Sequence, residues 1–253
     1  MLTLFTGEPP TMSQANPGQF VARNPAHTPR RIFYVLPVHG QLDYALVTAR
    51  SLLTSINPMD VDLHVVLVDD ATPRHEWETQ DGNVLATVCP RKGLDVRITF
   101  DSNRGLTAAL NAGLGEILYG DALPLARDDD VVICGNSDVV FSWKWYEGLF
   151  HVLDVLGVHL VGPLTNAPGR TDLIRNRQYI GTFMSNYQLD PSQEAVNGVG
   201  EYCRRMMPHG FVDAPVNGFM MCMKAKHWRH YAAHPDARLV FPPDINVMPS
   251  GAL

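Results

Sequence analysis

Ile32-Phe33-Tyr34-Val35-Leu36 is a continuous apolar run closed by Pro37, the pattern of a strand buried on both faces of a parallel sheet. Behind it Leu42, Ala45, Leu46, Ala49, Leu52, Leu53 and Ile56 recur at spacings of three and four residues. That period predicts a helix, stopped at Asn57-Pro58 because the residue before proline avoids the α region. A second strand, Leu63-His64-Val65-Val66-Leu67-Val68, runs into Asp69-Asp70, and Val96 to Phe100 makes a third. Asp101-Ser102-Asn103-Arg104-Gly105 then turns into a helix through Ala108, Leu110, Leu114, Ile117 and Leu118. The fourth strand, Val131-Val132-Ile133-Cys134, ends in Gly135-Asn136-Ser137-Asp138. Trp143 to Leu156 has helical spacing, His159-Leu160-Val161 is a short strand, and Gly162 to Gly169 is loop. Arg170 to Gly210 reads as a loop-rich insertion with one helix near Ala195 to Met207. Strand character returns at Val216 to Met223, followed by a short helix from Lys224 to Tyr231. Alternation of this kind predicts an α/β fold, a mostly parallel central sheet flanked by helices.

Composition narrows the class. A chain of 253 residues, 45% hydrophobic and 18% charged, buries a sizeable core within one large domain. Gly7 to Arg31 is rich in Pro, Asn, Gln and Thr without periodicity, so residues 1–30 are expected to form an irregular leader and 31–253 a single domain. The net charge of -6 argues against a broad nucleic-acid footprint, which needs clustered Lys and Arg. Cys89, Cys134, Cys203 and Cys222 have no CxxC spacing and are expected to be free buried thiols. The first residues lack a basic region followed by an apolar core, and no apolar run approaches the ~20 residues of a membrane span. A cytoplasmic protein is the expectation.

The chemistry concentrates where strands end. In an open α/β sheet, ligands bind beyond the carboxyl ends of the strands, and both Asp69-Asp70 and Asp138 stand there. Asp128-Asp129-Asp130 precedes the fourth strand, at the opposite end, and reads as a solvated loop. Other nucleotide and hydrolase sites lack their signatures: there is no G-x-G-x-x-G after the first strand, no G-x-x-x-x-G-K-S/T and no G-x-S-x-G.

Four pieces in order carry a resemblance. Tyr34-Val35-Leu36-Pro37-Val38-His39-Gly40 is similar to an opening strand of the type I-V-I-P-x-Y-N. Val68-Asp69-Asp70-Ala71-Thr72 is similar to V-D-D-x-S/T, and Asn103 to Gly113 to N-x-G-x-x-x-A-x-N-x-G. Asn136-Ser137-Asp138 takes the place of D-x-D. From Ile32 to about Trp228 the chain resembles the family 2 glycosyltransferases of the GT-A fold, inverting enzymes that use nucleotide diphosphate sugars. The resemblance implies a nucleotide-sugar-binding half, 31–140, and an acceptor-binding half, 141–253.

It also implies roles. Asp138 would hold Mn2+ or Mg2+, which neutralises the leaving diphosphate. Asn136 replaces the first aspartate of D-x-D and adds no charge, so metal affinity is expected to be lower than in a two-carboxylate site. Asp70 would accept a hydrogen bond from the nucleotide base, and Asp69 would fix the turn or share that contact. Pro37, Val38 and His39 would line the base and ribose pocket. Asn103, Arg104 and Gly105 open a helix whose amides suit a diphosphate, and Asn136 and Ser137, next to Asp138, would contact the nucleotide sugar. Asn111 and Gly113 are open between close helix packing and ribose-side support. Asn217-Gly218 would lie near the acceptor, which could be a glycan, a lipid-linked glycan, a protein or a modified nucleobase.

The catalytic base is the irregular point, because an inverting transfer needs a carboxylate near the acceptor hydroxyl. Relatives supply it from an E-D pair, yet Phe241-Pro242-Pro243-Asp244 is followed by nine residues without one. Three explanations compete: Asp213, or next Asp244, is the base; the chain is truncated before its base; or the protein binds donor without efficient transfer. The last would be a noncatalytic sugar-nucleotide-binding or scaffolding module of the same fold.

Overall fold

The computed structural model describes residues 28–88, 94–155, 157–163, 192–206 and 220–233. Among them are five strands: β1 Arg30–Val38, β2 Val61–Asp69, β3 Leu94–Thr99, β4 Val131–Gly135 and β5 Met220–Lys224. The helices are α1 Leu42–Thr54, α2 Arg74–Trp77, α3 Gln80–Val88, α4 Leu106–Tyr119, α5 Tyr146–Val155, α6 Gln193–Met206 and α7 Ala225–Ala233. The strands lie in the order β3-β2-β1-β4-β5, parallel except for the antiparallel β4–β5 pair. The expected architecture, a mostly parallel sheet with helices on both faces, is the one observed.

β1 shows why the sheet sits in the middle. Its side chains alternate: Ile32, Tyr34, Leu36 and Val38 enter one core with α1 and α5, while Phe33 and Val35 enter the other with α4 and Trp228 of α7. All six are at most 2% exposed, so both faces of the strand are apolar and the run reads as continuous. Each such side chain contributes roughly 1.5–3 kcal/mol through its removal from water. Close approach does the rest: a Cβ on Gly113 would overlap the Cγ1 of Val35, so α4 packs on β1 only with glycine at that position. Gly113 is therefore a packing residue.

Several boundaries differ from expectation. β1 starts at Arg30, because the ladder pairs Arg30 with Val61 although side-chain pattern gives no sign of it. His159-Leu160-Val161 is not a strand; Val161 makes a single antiparallel bridge to Cys222. α5 begins at Tyr146 rather than Trp143, because the preceding backbone is bound to α1 and Lys144 takes a left-handed φ of 59°. The acidic run is an exposed turn as expected, with Asp128 and Asp129 73% and 75% exposed, and it is also paired: Asp130 with Arg31, Asp129 with Lys226 and Asp128 with Arg229, which ties the entrance of β4 to β1 and α7. A cavity of about 1300 Å³ lined by Arg30, Leu53, Asp62 and Asp128 lies at this same end of the sheet, away from the strand tips. Cys134 and Cys222 are free, buried thiols whose pKa burial pushes up. Asp213, Asn217, Gly218 and Asp244 lie outside the described residues.

Candidate functional site

β2, β1 and β4 are neighbours running the same way, so Asp69-Asp70, His39-Gly40 and Asn136 to Asp138 leave the sheet at one edge. β5 enters there from the other direction, since its first residue, Met220, pairs with Gly135. The tips of β2 and β4 stand about two strand spacings apart, roughly 10 Å.

Asp69 builds the first turn. It is 2% exposed; its Oδ1 accepts from the Thr72 amide at 2.9 Å and its Oδ2 from Arg97 Nη2 at 2.6 Å. The guanidinium of Arg97 also lies over the Trp77 ring at 3.8 Å. A left-handed Ala71, φ 58°, completes the turn. Of the two roles open to Asp69, the geometry displays the turn.

Asp70 binds the other side. Its carboxylate, 3% exposed, accepts from the amides of Arg104 at 2.7 Å and Gly105 at 2.8 Å. Two successive amides converge on one carboxylate because Gly105 adopts φ 83°, which favours glycine. The negative charge thus sits at the positive end of α4, where it is stabilised. Those two amides, suited by sequence to a diphosphate, are engaged by Asp70.

His39 joins the two sides. Its Nδ1 lies 2.6 Å from the Asp70 carbonyl, which only accepts, so Nδ1 carries the proton and Nε2 accepts from Asn103 Nδ2 at 2.9 Å. Asn103 Oδ1 in turn accepts from the Gly105 amide at 2.9 Å. Pro37 and Val38 are buried in the sheet, and the exposed His39 is the first residue of the tip to face outward. Arg104 is exposed, its guanidinium 4.7 Å from the Phe100 centroid, and Asn111 is half-buried on α4. Glu76 is a neighbour that sequence reasoning missed: its half-buried carboxylate lies 3.1 Å from where a Cβ on Gly40 would stand. Its only signal is an acid a few residues past the Asp69-Asp70 turn.

The second corner is built on Tyr34. A Cβ on Gly135 would overlap the Tyr34 hydroxyl, which donates to the Asn136 carbonyl at 3.0 Å. Burial, reinforced by Cys222, Cys134 and Asp138, raises the Tyr34 pKa and keeps that donor protonated. Thr48 Oγ1 of α1 donates to the Ser137 carbonyl at 2.8 Å and accepts from the Val139 amide at 3.0 Å. Asn136 and Ser137 are half-buried and Asp138 is exposed.

Among the described residues no three His, Cys, Asp or Glu side chains cluster as a metal cage. A hard divalent cation bound through one or two carboxylates, substrate phosphates and waters needs no such cage. An exposed Asp138, with Asn136 two residues before it, offers the donor types of that set.

No protein-family model and no curated protein matches the chain. Solved structures do. The chain is similar to S. aureus TarS residues 1–349 at 12% identity and TM-score 0.48, with 85% of this chain and 51% of that one covered. It is similar to the mannosyltransferase PcManGT from Pyrobaculum calidifontis, in complex with GDP-Man and Mn2+, at 15% identity and TM-score 0.49, covering 90% and 51%. TarS 1–349 in complex with UDP-GlcNAc follows at 15% identity and TM-score 0.43, covering 58% and 38%. The chain spans about half the length of the first two. Among the described residues no helix is long and apolar enough to cross a membrane.

Proposed function

We propose that the chain is a GT-A glycosyltransferase, a hexosyl- or related transferase that moves a sugar from a nucleotide diphosphate sugar to an acceptor hydroxyl with inversion. The observation that carries this reading is the placement of Asp70 and Asp138 at the tips of the two strands flanking β1. The gap between them suits an extended nucleoside diphosphate, with His39 facing outward from the strand in the middle. The ordered motifs read from the sequence support the same assignment.

In this reading His39 offers a flat ring to the base or ribose, and Asn111 supports the ribose side. Asn103, Arg104 and Gly105 form the diphosphate wall, where the Arg104 guanidinium supplies positive charge. Asp70 anchors this wall through the Arg104 and Gly105 amides, and its carboxylate is the acceptor for the base edge. Asp138, with Asn136 and Ser137 beside it, holds Mn2+ or Mg2+. Such a cation, when bound, neutralises charge on the leaving diphosphate. Asp213, or else Asp244, takes the proton of the acceptor hydroxyl as its oxygen attacks the anomeric carbon and the bond to phosphate breaks. Asn217-Gly218 borders the acceptor.

Calorimetry with UDP- and GDP-sugars, with and without MnCl2, tests the proposal. Manganese-dependent binding by the native chain and its loss in Asp138→Ala are expected. Unchanged manganese-dependent affinity in the variant would remove Asp138 from the role. Binding without nucleotide diphosphate release would favour the noncatalytic module.

A further inference from the structure

The face that α1 turns to the core is not wholly apolar. Thr48 and Ser51 of α1 and Ser55, which caps its end, are 0%, 3% and 2% exposed, one helical turn apart, among Ala45, Ala49 and Leu52. Buried hydroxyls in a helix commonly return a bond to their own backbone. These three positions also receive another segment. Thr48 Oγ1 binds the Ser137 carbonyl and the Val139 amide, Ser51 Oγ accepts from the Phe141 amide at 3.2 Å, and the Ser55 carbonyl accepts from Lys144 N at 2.8 Å. Ser51 Oγ also donates to the Thr48 carbonyl at 3.0 Å, linking two steps of the series. The chain leaving β4 is therefore fastened along one seam of α1.

Thr48 has the most specific place in that seam. One oxygen acts as donor to Ser137 and acceptor from Val139, the residues on either side of Asp138, so both backbone neighbours of the exposed carboxylate are tied to a single buried atom. Tyr34 fastens the preceding carbonyl, that of Asn136, from the strand below. Val at position 48 would match the shape of Thr and supply neither bond. Ser would supply both.

We propose that Thr48 is a positioning residue for Asp138, with Tyr34 as its counterpart, so that the aim of the carboxylate is set by α1. The inference rests on the reading of Asp138 as the cation ligand. Partners that orient a metal ligand are worth roughly 10–100-fold in metal affinity.

The test compares Thr48→Val and Thr48→Ser in the full chain. UDP and GDP are the probes, titrated calorimetrically with and without MnCl2, and amide exchange at Val139 is followed without ligand. In Thr48→Val the manganese-dependent gain in affinity is expected to fall roughly 10–100-fold, metal-free affinity to stay, and exchange at Val139 to accelerate. Thr48→Ser is expected to restore all three. If Thr48→Val does not fold, Tyr34→Phe, which keeps the ring, carries the same expectation for the manganese-dependent gain. A native manganese dependence that survives in Thr48→Val, or is lost equally in Thr48→Ser, overturns the positioning role and leaves the site reading standing. Absence of manganese-dependent binding in the native chain overturns the site reading and this inference together.

Discussion

The carboxylate of Asp70, at the tip of β2, lies 2.8 Å from the amide nitrogen of Gly105. With the Arg104 amide at 2.7 Å, this contact ties the turn before α4 to the neighbouring strand tip. Asp70→Ala leaves the Arg104 amide without its acceptor and the Gly105 amide with Asn103 Oδ1 alone, and a loss of about 1–3 kcal/mol in urea unfolding is expected. Asp70→Asn, which retains one acceptor oxygen, is expected to lose less. In nucleotide titrations Asp70→Ala should weaken nucleotide binding more than metal binding. Equal losses would contradict a role for Asp70 on the nucleotide side.

The missing charge at Asn136 gives the opposite kind of test. Asn136→Asp adds a second carboxylate two residues from Asp138, and cation affinity rises with the number of charged ligands. Tighter manganese binding, by about tenfold, is expected in the presence of UDP or GDP. Unchanged affinity would show that Asn136 faces away from the cation.

The contact between α4 and β1 can be probed through Gly113. Gly113→Ala drives a methyl into Val35, and overpacking of this kind costs about 1–3 kcal/mol. Pairing it with Val35→Ala makes room, so the double variant should be more stable than the sum of the two single losses. Additive losses in denaturant unfolding would refute direct contact.

His227, stacked on His159, supplies a pH-dependent stability. Their rings stack at 3.9 Å, and the His227 pKa is lowered from 6.5, first by burial and then by His159, Lys226, Lys224 and His230. The unfolded chain therefore takes up this proton more readily than the folded one. Stability held above pH 6.5 is lost as the pH falls from there through the lowered value. His227→Gln should flatten this part of the profile, read from urea midpoints between about pH 7 and pH 5. A profile identical to that of the native chain would remove His227 as its source.

Much of the scaffold was legible because it depends on local pattern. The runs of β1, β2 and β4 are continuous since both faces are covered, and the period of α1 is plain. α2 and α3 leave no such mark, because Arg74, His75, Glu76 and Gln80 give no apolar stripe. The strand-tip residues were legible by position: Asp70 and Asp138 come to one edge of the sheet. Their partners were not. The bonds of Asp70 to Arg104 and Gly105 cross 34 and 35 residues, and Thr48 to Ser137 crosses 89, distances at which periodicity is silent. Buried hydroxyls within an apolar stripe also look like tolerated exceptions until the segment they bind is known.

The reversed strand β5 has a consequence for the order of assembly. Val35 and its β2 partner Val66 are about 30 residues apart, whereas Ile133 and its β5 partner Cys222 are about 90 apart, so closing the second pairing costs about 1 kcal/mol more in loop entropy. The nucleus of the sheet is cheap to form early, and the flank beside Asp138 is joined through the longer loop. A destabilising change in β5 would then be felt first as a faster loss of this flank, with the β1–β2 pairing still in place.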